Sequence, residues 1–283
     1  MKTVVITGAS TGIGRSAAEH LSARGWQVFA GVRKAQDGDA LVAADPRIKP
    51  LLLDVTNPEQ VEAAVETVGD SLNGHKLAGL VNNAGIANMG PLALQPLDQF
   101  QSHFEVNVFG LLRASQAFAP LLGMDKTLAG APGRIINITS VGGKLASPFL
   151  GAYTATKHAV ESITDSLRRE LVIFEIDAIA IGPGAVRTPI WDKAEQDNSG
   201  NPYANSPWAK PIEKFSETML ESGRTGLDPQ IIAETIETAL TAAKPKARYA
   251  PVPDKLTNFT LPMMLPKRVV DGFFWKRFGM KPK

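Results

Sequence analysis

No cysteine occurs among the 283 residues. Disulfide staples, thiolate metal sites and a cysteine nucleophile are therefore excluded, and a reducing, cytoplasmic setting is the expectation. The four histidines, His20, His75, His103 and His158, are scattered and form no ligand pair of the HExxH kind, so no metal site is predicted. No apolar run approaches the ~18 residues of a membrane span. Met1 to Thr7 run straight into a strand-like segment, with no room for a secretory signal. A large charge of one sign is missing too: the net charge is +2, and no whole-chain field argues for nucleic acid. Low-complexity tracts, short repeats and linker-like breaks are absent, which predicts one domain over 1–283.

The composition is that of an ordinary soluble chain, 44% apolar and 20% charged. Residues 3–6 are a short β-branched run that ends in Thr7-Gly8-Ala9-Ser10-Thr11-Gly12-Ile13-Gly14-Arg15. A helix is predicted from Ser16 to Arg24, stopped by Gly25. Strand, glycine turn and helix place a phosphate on a helix N-terminus, with glycines letting the backbone approach the anion. Gly8-Ala9-Ser10-Thr11-Gly12 also fits the G-x-S-x-G nucleophile elbow, but only seven residues precede Gly8, too few for the oxyanion loop that chemistry needs. A P-loop needs Gly-Lys-Ser/Thr, which this turn lacks.

The strand expected over 26–32 ends in Arg33 and Lys34. That is where a dinucleotide fold places the acidic residue that reads the ribose 2′-hydroxyl of NAD. A guanidinium there grips a 2′-phosphate instead, which favours NADP over NAD, and Arg15 adds a second candidate charge. A third strand, 48–53, leads into Asp54-Val55-Thr56, and Asn57-Pro58 opens a helix with Asn57 as its cap. The strand over 77–81 ends in Asn82-Asn83-Ala84-Gly85, suited to close backbone approach to a ligand. Residues 97–122 read as helix and carry Asn107 among apolar neighbours, where its amide must find partners. Residues 134–139 form a strand with Ser140 at its end, and 176–181 a strand closed by Gly182-Pro183-Gly184-Ala185-Val186-Arg187-Thr188-Pro189. Between them, Tyr153 and Lys157 are four residues apart on one helical face. A phenol ionises near pH ~10, and a fixed ammonium beside it favours the phenolate, which predicts a tyrosine able to exchange a proton near neutrality.

The alternation of strand and helix predicts an α/β fold, a single Rossmann-type doubly wound domain with a mostly parallel central sheet flanked by helices. Residues 3 to about 190 resemble the classical short-chain dehydrogenase/reductase family. The resemblance rests on Thr7-Gly8-x-x-x-Gly12-Ile13-Gly14, Asp54, Asn82-Asn83-Ala84-Gly85, Asn107, Ser140, Tyr153-x-x-x-Lys157 and Pro183-Gly184-x-x-x-Thr188, in that order. It implies that Tyr153 is the general acid or base, that Lys157 lowers its pKa and holds the nicotinamide ribose, and that Ser140 orients the reacting oxygen. It implies that Asn107 positions a relay water, that Asp54 reaches the adenine amino group, and that Thr188 contacts the carboxamide. With Arg15, Arg33 and Lys34 read from their charge and the rest from these motifs, the expected cofactor contacts are Gly8, Ser10, Thr11, Gly12, Ile13, Gly14, Arg15, Arg33, Lys34, Asp54, Val55, Asn83, Ala84, Gly85, Tyr153, Lys157, Pro183, Gly184, Val186 and Thr188.

The last third is rich in Pro, Asn, Ser and Gly over 189–226, with Trp191, Tyr203, Trp208 and Phe215 interleaved. This stretch is predicted to be a lid that supplies an apolar substrate pocket. Asp228-Pro229 starts a helix. The extension over 252–283 mixes apolar and basic residues. Its alternatives are packing on the core, at the substrate mouth or on another subunit, or peripheral contact with an anionic membrane. The tail and the Gly-Val-Arg-Lys stretch resemble the retinol- and 17β-hydroxysteroid-dehydrogenase branch. The expectation is an NADP(H)-preferring oxidoreductase for a hydrophobic alcohol and its ketone or aldehyde, in a homodimer or homotetramer. A dinucleotide-sensing regulator, or an epimerase or dehydratase on the same fold, stands as the alternative.

Overall fold

The computed structural model describes residues 1–190 and 202–280. Trp191 and residues 281–283 lie outside the described residues. The chain folds as a single α/β domain around seven strands: β1 Thr3–Ile6, β2 Gln27–Val32, β3 Ile48–Leu52, β4 Gly79–Asn82, β5 Arg134–Ile138, β6 Asp177–Ile181 and β7 Arg248–Tyr249. Their order is β3-β2-β1-β4-β5-β6-β7, and every pairing is parallel, where the sequence predicts a mostly parallel sheet. The order reverses between β1 and β4. At such a reversal the two crossovers leave to opposite faces and open a crevice beyond the carboxyl ends of the strands.

Parallel strands are covered on both faces, so their residues are apolar nearly throughout. Val4 and Ile6 of β1 pack with α1 (Gly12–Ala23), α2 (Ala35–Ala44) and the helix Pro229–Thr241, while Val5 faces α3 (Pro58–Leu72) and α5 (Leu111–Ala119). The predicted Asn57 cap forms, its Oδ1 accepting from the Gln60 N–H at 3.1 Å, and at the helix start predicted at Asp228-Pro229 Asp228 Oδ1 accepts from the Gln230 N–H at 2.9 Å. α1 begins at Gly12, four residues before the predicted Ser16, so the last glycines of the loop form its first turn. The helix predicted over 97–122 is α4 (Leu97–Phe104) and α5, joined by a widened π turn at Glu105–Gly110 that carries Asn107. A buried polar ladder ties β4 to β5 and the helices. Asn82 Nδ2 donates to Ser115 Oγ and Asn137 Oδ1, both at 2.9 Å, and Asn137 Nδ2 donates to Thr164 Oγ1 at 2.9 Å.

Candidate active site

The crevice is an open cleft of about 300 Å³. Thr7, at the end of β1, joins its two walls: its Oγ1 accepts from the Asn83 N–H at 3.0 Å and the Ala84 N–H at 3.1 Å. Asn83 returns the contact, its Nδ2 donating to the carbonyls of Thr7 and Gly8 at 3.1 and 2.9 Å. Gly8 has φ +64°, and a Cβ there would lie 2.8 Å from Ala84 Cα, so both the backbone conformation and the close approach require glycine. The N-terminus of α1 opens onto this floor. Thr11 makes no side-chain cap and the first turn holds no acidic residue, so the partial positive charge of the helix end faces the cleft.

Most of the predicted residues come together here. Gly8, Ser10, Thr11, Gly12 and Ile13 line the cleft after β1, Arg33 after β2, and Asp54 and Val55 after β3. Asn83, Ala84 and Gly85 line it after β4, with Pro183, Gly184, Val186 and Thr188 after β6. Gly14 lies beneath the floor, against the Gly8 carbonyl. Arg15 and Lys34 do not line the cleft. Arg15 Nε donates to Glu19 Oε1 at 2.8 Å along α1, and Lys34 is the exposed N-cap of α2. Arg33 by contrast has no hydrogen bond or ion pair to another described residue. Asp54 Oδ1 accepts from the Thr56 N–H and hydroxyl at 2.9 and 2.7 Å.

Ser140, Tyr153 and Lys157 meet at the carboxyl end of β5. Ser140 Oγ accepts from the Gly142 N–H at 3.0 Å and shares a hydrogen bond with the Tyr153 phenol. Lys157, one helical turn after Tyr153 on α6 (Gly151–Glu170), donates from Nζ to the Ile138 carbonyl at 2.9 Å. Its Nζ is 5.6 Å from the centroid of the Tyr153 ring. Burial pushes the lysine down to about 8, with the Glu161 carboxylate opposing. Burial likewise pushes the Tyr153 phenol up, and the Ser140 hydrogen bond pulls it back only in part. Tyr-x-x-x-Lys spacing predicts a lowered phenol, whereas here burial raises it and the Ser140 hydrogen bond is the opposing influence.

Asn107 sits behind the cleft, not in its lining. Its Oδ1 accepts from the Ile86 N–H at 2.8 Å, and its Nδ2 donates to the Ile86 carbonyl and Thr156 Oγ1, both at 3.0 Å. Both amide hydrogens are thus spent on joining the loop after β4 to α6.

An apolar cluster adjoins the phenol. Ala87, Met89, Phe149, Leu150, Phe215 and Phe278 pack with Tyr153. Phe149 holds φ +62°, an unusual conformation for a bulky residue, and its ring meets Phe215 edge-on at 5.5 Å. Phe215, on the helix Ala209–Thr225, meets Phe278 at 5.2 Å, on the helix Lys267–Phe278. The last helix thus lies at this end of the domain, one of the placements open from sequence. Phe278→Ala removes a ring that is 4% exposed and should cost about 3 kcal/mol. A urea midpoint unchanged from wild type would show that the contact is not formed.

Sequence reasoning missed Glu161 and Arg248, which bridge α6 and β7 beside this site, and apolar walls such as Leu53, Ile86 and Ile190. The four-residue spacing from Lys157 to Glu161 was the available signal for the first.

Residues 2–199 match the family described as short chain dehydrogenase. The chain belongs to the short-chain dehydrogenase family. It is accordingly an oxidoreductase acting on CH–OH or C=O groups, of a fold that binds a nicotinamide dinucleotide. NADPH-dependent 3-dehydrocapnine reductase of Ornithobacterium rhinotracheale is 36% identical over 277 residues, covering 98% of this chain and 97% of that protein. Retinol dehydrogenase 5 of Mus musculus is 34% identical over 281 residues, with coverages of 95% and 86%. The structure of a short chain dehydrogenase/reductase from Burkholderia phymatum in complex with NAD superposes with a TM-score of 0.74 at 29% identity, covering 92% of each chain. Among the described residues no helix is long and apolar enough to cross a membrane.

Proposed function

We propose that this short-chain dehydrogenase is an NADP(H)-preferring enzyme that interconverts an apolar alcohol and its ketone or aldehyde, with Tyr153 as general acid and base. The observation that carries the reading is the meeting of Ser140, Tyr153 and Lys157 inside the cleft, with the phenol bonded to Ser140 and walled by apolar side chains.

The residues present fit the dinucleotide. The uncapped end of α1, reached across Gly8, suits a pyrophosphate. Arg33, at the end of β2 and unpaired among the described residues, suits a 2′-phosphate better than a bare 2′-hydroxyl. The NADPH dependence in the name of the Ornithobacterium relative agrees with that preference. Asp54, Val55, Asn83, Ala84, Gly85, Pro183, Gly184, Val186 and Thr188 would complete the contacts along the strand ends.

When bound, the nicotinamide gives or takes a hydride. The chain handles the proton. Ser140, anchored by the Gly142 N–H, would turn its hydroxyl from the Tyr153 phenol to the entering substrate oxygen and orient it. The Tyr153 O–H delivers its proton to that oxygen in reduction and recovers it in oxidation. Burial keeps the phenol protonated, the form that reduction needs. Lys157 stabilises the phenolate left behind, held in place by the Ile138 carbonyl. Asn107 keeps the Ile86 loop against α6, so any water it holds must use the second lone pair of Oδ1 or the backbone.

Residues 191–201 of the predicted lid lie outside the described residues; in the described part, Phe215 and, from the 252–283 extension, Phe278 supply the apolar wall beside Tyr153. An apolar substrate follows from that wall, and a cytoplasmic homodimer or homotetramer is the expected setting. A panel of steroids, retinoids, aryl ketones and small keto acids, run with NADPH and NADH, tests the reading. Turnover of apolar carbonyls with NADPH is expected. Tight cofactor binding with no turnover across the panel would favour a dinucleotide sensor instead.

A further inference from the structure

The loop after β4 is tied down at every second residue. Ile86 is held through both its N–H and its carbonyl by the Asn107 amide. The Asn88 N–H donates to His103 Nε2 at 3.0 Å, and the Gly90 N–H donates to the Phe149 carbonyl at 2.8 Å. Between the ties stand Ala87 and Met89, each 4% exposed and packed in the apolar cluster around Tyr153. The loop thus supplies part of the substrate wall, and its ties fix where that wall stands against the phenol. Two of the ties use groups that do not titrate. The third is an imidazole.

His103, on α4, is fully buried. Its Nδ1 lies 2.7 Å from the Gln99 carbonyl, which can only accept, so Nδ1 carries the hydrogen. The Asn88 N–H can only donate, so Nε2 offers a lone pair. The two partners together admit one neutral tautomer. A proton on Nε2 would set two N–H groups against each other, and the Asn88 tie would be lost. His103 has no carboxylate partner among the described residues. Residues 84–96 of the facing loop carry no ionisable side chain, and Tyr203 meets that loop at Gly90. On α4 itself Asp98 bonds the Gln99 N–H, and in the π turn Glu105 pairs with Arg113. On α6, the Tyr153 phenol bonds Ser140, Lys157 donates to the Ile138 carbonyl, and His158 Nδ1 meets the Thr154 carbonyl. Further along, Glu161 pairs with Arg248, Asp165 pairs with Arg168 and Arg169, and Glu170 is exposed. We propose that His103 is a positioning residue: as the neutral imidazole it fastens the wall of Ala87 and Met89 against Tyr153, and on taking a proton it lets that wall go. Burial also pushes the imidazole down, so the tie holds at neutrality. An opened loop exposes an imidazole that titrates near ~6.5, so opening takes up a proton and grows more favourable as the pH falls below that value. The role in turnover rests on the catalytic reading, whereas the tie itself does not.

Long-range 1H–15N correlation spectra of the imidazoles read the tautomer directly, with His103→Gln assigning the signal. The neutral Nδ1–H form is expected at neutral pH. An Nε2–H tautomer, or an imidazolium, at that pH would overturn the proposal. Hydrogen exchange at the Asn88 amide, corrected for the intrinsic rate, reads the tie. Its protection should fall severalfold from about pH 7.5 to about pH 5.5, up to the roughly tenfold that an ordinary imidazole released on opening allows. Glutamine places an amide oxygen near the position of Nε2 and takes no proton, so His103→Gln should keep its protection level over that range. His103→Leu offers no acceptor and should lose protection at both ends. Wild-type protection that ignores pH, or a His103→Gln variant that follows the wild-type decline, would overturn the proposal. If His103→Leu does not fold, His103→Gln decides alone. In turnover, KM for the apolar carbonyl should rise severalfold at the acid end in wild type and stay level in His103→Gln. NADPH affinity should hold in both, because Thr7 and Asn107 still fix the cofactor side of the loop. A wild-type chain that reduces nothing would sink the catalytic reading and leave the spectra and the exchange to judge this one.

Discussion

Tyr153→Phe should lower kcat by about three orders of magnitude and leave NADPH affinity within about twofold. The substitution removes one oxygen and keeps the ring in its apolar surroundings of Phe149, Leu150 and Phe215. Folding is therefore little disturbed, and a thermal melt close to wild type is part of the expectation. The oxygen removed is the one bonded to Ser140, and the account gives the proton transfer to that atom alone. Ser140 retains its bond from Gly142 and still orients the substrate, so weak residual turnover is consistent. Stopped-flow reduction of the best panel substrate would measure the loss. A variant within tenfold of wild type would remove Tyr153 from its assigned role.

Arg33→Ala should weaken NADPH by about 10- to 100-fold and NADH by no more than about threefold. A charge-assisted hydrogen bond to phosphate is worth about 1.5–3 kcal/mol, and only the 2′-phosphate supplies the partner. The position decides which cation is tested. Arg15 is already engaged by Glu19, and Lys34 caps α2 away from the cleft, whereas Arg33 lines it. Calorimetric titration of both dinucleotides against wild type and variant measures the ratio. Equal losses would mean that Arg33 does not read the phosphate.

The fold was legible because its signals are local. β-Branched runs, Asn57-Pro58, Asp228-Pro229 and the glycine turn each act within a few residues, and their alternation specifies a parallel doubly wound sheet. Much of the cleft was legible for the same reason, since strand ends converge on one edge whatever lies between them. What escaped depends on distance through space. The pairing of Arg248 with Glu161 spans 87 residues, and no pattern in either neighbourhood announces it. The π turn at Glu105–Gly110 widens a helix whose periodicity reads as uninterrupted. The phenol shows the limit most clearly. Spacing identifies Lys157 as its neighbour, but burial sets the direction of its pKa, and burial comes only with the assembled cluster around Tyr153.

The central claim is that the chain delivers a hydride and a Tyr153 proton to one carbonyl group. The most direct measurement uses NADPH deuterated at the transferable C4 position, an apolar ketone from the panel, and mass spectrometry of the alcohol formed. One deuterium on the carbinol carbon is predicted, on one face only, and its formation should collapse in Tyr153→Phe. Product without deuterium, or labelled product formed equally well by Tyr153→Phe, would contradict the account.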